Sequence, residues 1–149
     1  MRETISEGYK AAMKARDARR TSTLRAINAA IKDKDIANRG EGKPPLESAE
    51  ILALLQKMVK QREESLAIYT QAGRTDLATV EKEEIDILNE FLPKSLSEAE
   101  VDAAIQTAIA KTGASGGKDM GKVIASLKAD YPGQIDFGKA SGKVKAALG

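Results

Sequence analysis

The chain is 149 residues long, 42% hydrophobic and 31% charged, with a net charge of +2, so it reads as a folded chain of one domain or two small ones. It has no Cys and no His, which excludes disulfides, thiolate chemistry, His-based triads and Cys/His zinc sites. Aromatics are only 3%, so the core must be aliphatic, which suits helix packing better than a sheet.

Ile5, Tyr9, Ala12 and Met13 recur at helical spacing and predict a first helix over 2–17. Thr21 and Ser22 are candidate N-caps for a second helix, striped by Leu24, Ile27, Ala30 and Ile31 and running to about Asn38. Asn38 to Pro45 contains two glycines and two prolines, and is expected to be a mobile loop. Ser48 is the expected cap of a long third helix carrying Ile51, Leu55, Met58, Leu66 and Tyr69. Gly73 suits the residue just past its end. Thr75 is the expected cap of a fourth helix that buries Leu77, Val80, Leu88 and Phe91 and stops at Pro93.

A domain boundary is expected at Pro93, giving a helical domain over 1–93 and a three-helix domain over 94–149. Ser97 and Glu100 form a capping box, with Leu96 and Val101 as its hydrophobic staple. Val101, Ile105, Ala108 and Ile109 mark the fifth helix; Met120, Val123, Ile124 and Leu127 mark the sixth. Asp136 caps a seventh with Phe137, Ala140, Val144 and Leu148 inward. The expected fold class is all-α, with no strand signal and no internal repeat.

Charge is unevenly spread. Residues 1–45 hold 11 Lys/Arg against 6 Asp/Glu, and residues 46–93 hold 5 against 10. The simpler reading is that these segments pack side by side; the alternative is a basic face for an anionic partner. The acidic run Glu81, Glu83, Glu84, Asp86 and Glu90 is read as a solvated face, because a di-metal bundle would want Glu-x-x-His pairs.

Gly116 to Lys122 matches G-x-x-x-x-G-K. The Ser/Thr that should follow is Val123 and no strand precedes it, so nucleotide binding is rejected here. Gly121 is then expected to let another helix approach. Lys94, Lys118, Lys122, Lys139, Lys143 and Lys145 are the candidates for nucleic-acid contact, since phosphate neutralisation needs cations; from the residues alone a solvated surface is the favoured reading. Few aromatics are present to stack bases, so any contact would be to backbone and shape.

Several spaced motifs resemble the GatB/YqeY family: Lys60-Gln61-Arg62-Glu63-Glu64-Ser65, Ala72-Gly73-Arg74-x-Asp76-Leu77, and Phe91-Leu92-Pro93. Lys118-Asp119-Met120-Gly121-Lys122-Val123 and Gly138-Lys139-Ala140-x-x-x-Val144 also match. The resemblance implies an all-α chain related to the tail of an amidotransferase B subunit. That enzyme converts misacylated Glu-tRNA or Asp-tRNA to the amidated form, with glutamine as amido donor. Its tail helps hold tRNA, and its catalytic and glutaminase parts lie elsewhere.

The expectation is therefore a non-catalytic tRNA-binding or tRNA-associated module. The alternatives are a carbon–nitrogen ligase component and a protein-interaction module. Expected partners are tRNA, an aminoacyl-tRNA synthetase or an amidotransferase, with no membrane. No catalytic residue, cofactor or metal is expected, and the expected compartment is the cytoplasm.

Overall fold

The computed structural model describes every residue, Met1–Gly149, as seven α-helices and one short 3-10 turn, with no strand. The all-α expectation holds. The chain divides into two compact units, Met1–Leu92 and Pro93–Gly149.

The first unit is two helical hairpins: α1 (Arg2–Lys14) with α2 (Ala18–Gly40), and α3 (Ser48–Gln71) with α4 (Thr75–Asn89). Its core holds Ile5, Leu24, Ile27, Ile51, Leu55 and Leu88, each at most 1% exposed. Burying each such side chain contributes roughly 1.5–3 kcal/mol. Thr23 is buried among them, its hydroxyl donating to the Arg19 carbonyl at 2.8 Å. Met13, expected inward, is 44% exposed.

Both hairpins turn in the same way. At the end of α1 the Asp17 N–H reaches the Ala12 carbonyl (3.1 Å) and the Arg16 N–H the Met13 carbonyl (3.2 Å). At the end of α3 the Arg74 N–H reaches the Tyr69 carbonyl (2.9 Å) and the Gly73 N–H the Thr70 carbonyl (3.2 Å). This is the two-bond helix stop that needs a left-handed residue. Gly73 supplies it at φ 71°, and Arg16 does so at φ 56°.

Three expected caps are corrected. Asp17, not Thr21 or Ser22, caps α2 by accepting the Arg20 N–H at 3.0 Å. Thr21 and Ser22 lie inside the first turns, where the Ser22 hydroxyl bonds back to the Arg19 carbonyl. Glu47 precedes α3 in place of Ser48, its N–H held by the Glu50 carboxylate at 3.1 Å. Arg74 precedes α4 in place of Thr75. The 38–45 loop is also tied down: Asn38 donates to the Pro44 carbonyl, and the Lys43 N–H to the Asn38 carbonyl at 2.7 Å. Beyond it, Leu46 is buried, with its N–H on Asp35 (2.8 Å) and its carbonyl on Arg2 (2.9 Å).

Gly8 of α1 marks a close approach. A Cβ there would sit 3.3 Å from the Phe91 ring tip. At Gly121, where such an approach was expected, nothing lies within 4 Å. Along the α3–α4 hairpin the buried residues stop at Val59 and resume at Ile85. About 18 Å of α3 therefore extends beyond its last fully buried residue, packed along α4, with Leu66 half-buried against the core.

The second unit comprises α5 (Glu98–Thr112), a 3-10 turn (Gly117–Asp119), α6 (Met120–Asp130) and α7 (Phe137–Leu148). Ala104, Ile105, Ala108, Val123, Leu127, Ile135, Ala140 and Val144 form its core. The capping box at α5 is present: the Ser97 hydroxyl accepts the Glu100 N–H (3.2 Å), and the Glu100 carboxylate accepts the Ser97 N–H (3.0 Å). Leu96 and Val101 both pack on this core. Asp136 caps α7 through the N–H groups of Gly138 (3.0 Å) and Lys139 (3.3 Å).

Candidate nucleic-acid interface

The Asp136 cap fixes the start of α7, and from there Lys139 and Lys143 fall one turn apart on the same side. Both line a groove of about 200 Å³ floored by Leu96, Val101, Ile135 and Ala140. Their electrostatics differ. Lys143 Nζ lies 2.9 Å from Asp102 Oδ1 and 3.9 Å from Glu98 Oε1. The hydrogen bond to Asp102 is the main reason its pKa is raised; partial burial opposes it, and the charges of Asp102 and Glu98 add to the rise. Its charge is thus balanced within the protein. Lys139 is exposed and has no acidic partner.

Lys118 is exposed in the 3-10 turn, without an ion pair. Lys122, on α6, sits 3.7 Å from Asp119 Oδ1. The Asp119 carboxyl is held below its ordinary range chiefly by the Ser115 backbone N–H at 3.1 Å, against some burial, with Lys122 adding to it. Lys145, in the last turn of α7, and Lys94 are both exposed and without an ion pair. The structure thus brings Lys139 and Lys143 to one groove and Lys118 and Lys122 to the start of α6, with no contact joining the pairs. The G-x-x-x-x-G-K stretch lies in a 3-10 turn after a helix rather than between a strand and a helix.

In the first unit the acidic run on α4 is taken up by arginines. Arg19 pairs with Glu83 at 3.0 Å, Arg62 with Glu84 at 2.7 Å, and Arg20 with Glu90. The Arg19 and Arg20 pairs are the side-by-side packing of opposite charges that the segment balances suggested, while Arg62–Glu84 lies within the second segment. No group of three or more acidic side chains converges as a metal site. Burial, reinforced by neighbouring Glu84, pushes the Glu81 carboxyl above its ordinary range, with Arg62 opposing.

Residue matching over 2–148 places the chain with the family described as Yqey-like protein. The chain belongs to the YqeY-like family. Among similar proteins is one named Altered inheritance of mitochondria protein 41, mitochondrial, from Lachancea thermotolerans. It is 32% identical over 103 residues, which is 68% of this chain and 54% of the relative. Proteins of the same name from Pyrenophora tritici-repentis (27% identical; 97% of this chain, 79% of the relative) and Kluyveromyces lactis (29%; 96% and 73%) also match. The chain spans about half the length of the Lachancea relative.

These names correct the expectation of a cytoplasmic protein, because they point to the mitochondrion. That expectation came from composition and from the absence of Cys, which report on redox chemistry and hydropathy, not on an organelle. No helix is long and apolar enough to cross a membrane.

Within this YqeY-like chain the signature residues of the α3–α4 hairpin are structural. Arg62 is 18% exposed and ties Glu84 on α4 to the Met58 carbonyl on its own helix (3.2 Å). Ser65 bonds back to the Gln61 carbonyl. Lys60 and Gln61 are exposed, while Gly73 and Arg74 form the turn. Arg74 pairs with Asp76 (3.3 Å) rather than with the α4 cluster, and this lowers the Asp76 pKa. Leu92 and Pro93 meet at the division between the units. Asp119 and Met120 open α6 beside the exposed Gly121.

One grouping was not foreseen. Arg25 Nε donates to the Tyr9 hydroxyl at 3.3 Å, with the guanidinium carbon 5.9 Å from the ring centroid. Beside this pair a second groove, of about 260 Å³, lies between α1 and α2. The i,i+4 spacings Arg2/Ser6 and Asn28/Lys32 were visible in the sequence. Their meeting depends on the register of the hairpin.

Proposed function

We propose that the protein is a non-catalytic tRNA-binding or tRNA-associated accessory module. The observation that carries this reading is membership of the YqeY-like family over residues 2–148, since the tRNA-holding tail of the amidotransferase B subunit is the related region. Lys94, Lys118, Lys139 and Lys145 support it as exposed cations outside any ion pair, the groups that phosphate contact requires. Lys122 and Lys143 rank below them because carboxylates already balance their charge.

The test is binding of unmodified and aminoacylated tRNA across a salt series. Affinity should fall as salt rises. Changing Lys118 and Lys139 to Gln should make the slope of log K against log salt shallower by about 1 for each phosphate no longer neutralised. Absence of binding at low salt, or a flat salt response, would overturn the reading.

A protein-interaction role is the second reading, favoured by one observation: Ile68 is 63% exposed on the stretch of α3 beyond Val59. Capture of a partner that survives nuclease treatment would favour it. A carbon–nitrogen ligase role predicts amidated product from glutamine, ATP and misacylated tRNA with the pure protein; none is expected.

A further inference from the structure

The α1–α2 groove is lined by Arg2, Ser6, Asn28, Ile31, Lys32 and Asp35. Its register is fixed at one end by the bidentate Arg2–Asp35 pair (2.7 and 2.8 Å) and at the other by Tyr9–Arg25. Between them, Ser6 stands one turn from Arg2, and Asn28 and Lys32 stand one turn apart on α2. From Arg2 to Ser6 the groove follows α1 for about 6 Å.

The chemistry of this lining is one-sided. Asp35 is its only carboxylate and is fully engaged: Arg2 and the Leu46 N–H occupy both its oxygens, which hold its carboxyl down at about 2. The Lys32 ammonium, the Asn28 amide and the Ser6 hydroxyl make no side-chain hydrogen bond or ion pair within the protein. Asn28 and Ser6 are half-buried. A cation, an amide N–H and a hydroxyl lining one concavity are the groups that pair with the oxygens of a phosphate. One turn along α1 from Ser6 stands Tyr9, half-buried against the core and holding the exposed Arg25 guanidinium over its ring, and a guanidinium plane can carry a base.

We infer that the α1–α2 groove binds a phosphate group of RNA through Lys32, Asn28 and Ser6, with the Tyr9–Arg25 pair as the platform for the adjoining base. The choice of RNA rests on the function proposed above; the phosphate chemistry does not. The site lies in the first unit and involves none of the six candidate lysines of the second.

The experiment follows the Asn28 side-chain amide and the Ser6, Tyr9 and Lys32 backbone amides of the full chain by NMR. The probes are inorganic phosphate, AMP, a short unstructured RNA and tRNA. In parallel, RNA and tRNA affinity is measured for the wild type, for Lys32→Gln/Asn28→Ala, and for Lys118→Gln/Lys139→Gln. All changed positions are solvent-accessible, and circular dichroism checks the fold.

The expected result is shifts confined to the groove, about tenfold weaker RNA binding by the groove variant at low salt, and a salt slope shallower by about 1. Tyr9→Leu should lower affinity for the short RNA but leave inorganic phosphate unaffected. Undiminished RNA binding by the groove variant would overturn the inference while leaving the proposed function standing. Shifts with AMP but no tRNA binding would overturn both RNA as the ligand and the proposed function, leaving a small phosphate site. No response to any probe would overturn the site altogether.

Discussion

The α1–α2 turn and the α3–α4 turn use the same pair of backbone hydrogen bonds, yet one places Arg16 and the other Gly73 in the left-handed position. A side chain there costs about 1–2 kcal/mol. The difference in support explains why one turn bears it. Around Arg16 the core comes close: Ala12, Thr23 and Leu24 are buried, and Asp17 caps α2 at once. Around Gly73 nothing is buried until Val59 on one side and Ile85 on the other. Strain persists where packing over-determines the backbone; where packing does not reach, the turn must be free of it.

The strongest challenge to this contrast is to remove the packing. Leu24→Ala should destabilise the first unit by about 2–5 kcal/mol, read by urea denaturation. It should also speed amide exchange at residues 14–17, because the strained turn loses its support. Gly73→Ala comes next, costing about 1–2 kcal/mol. Its effect should appear as faster exchange across residues 60–84, with little change in the α1–α2 hairpin. Equal acceleration in both hairpins would show that the stretch beyond Val59 is not a separate opening unit.

Arg16→Gly should have the opposite sign. Relief of the left-handed penalty outweighs the roughly 0.5–1 kcal/mol entropic cost of a glycine, leaving a gain of about 0.5 kcal/mol. A loss would mean that the Arg16 side chain makes a stabilising contact.

The smallest effects are those of pH, and here the hairpins respond in opposite directions. Asp35 is depressed to about 2 by its hydrogen bonds to Arg2 and Leu46. Its contribution is present above the ordinary carboxylate range and is lost as pH falls toward about 2. Glu81 is raised, chiefly by burial. The protonated form is favoured in the fold, so that stability is present at low pH and is lost as pH rises through the raised value. Glu81→Gln should remove this dependence and slow exchange in residues 60–84 at neutral pH.

The helices were legible because a 3.6-residue apolar period runs through each of them, and Leu24, Ile27, Ile51, Leu55 and Leu88 were read correctly from it. The caps were harder. Thr21, Ser22, Ser48 and Thr75 are all good capping types, but the helix begins where a side chain can reach a free N–H, and Asp17 and Glu47 hold those positions. Met13 fits the period and is exposed because α1 packs on one side only. Leu46 and Ile135 lie in connections, where no period exists to reveal burial. The ion pairs joining Arg19 and Arg20 to Glu83 and Glu90 cross more than sixty residues, so a segment balance could suggest them but not name them. The α1–α2 groove escaped for the same reason: each wall was visible, but not the register that sets them opposite each other.

Asp17 ends α1 with its N–H and begins α2 with its carboxylate. One residue thus closes one helix and opens the next, leaving no slack between them. Inserting even a single residue after Arg16 should separate the two roles and shift the whole of α2 in register, carrying Asn28 and Lys32 away from Ser6. The Gly73 turn, with no buried neighbour to displace, is where a tag, a fluorophore or a grafted loop should be accepted. For any attempt to extend or label this protein, the two turns therefore offer opposite prospects.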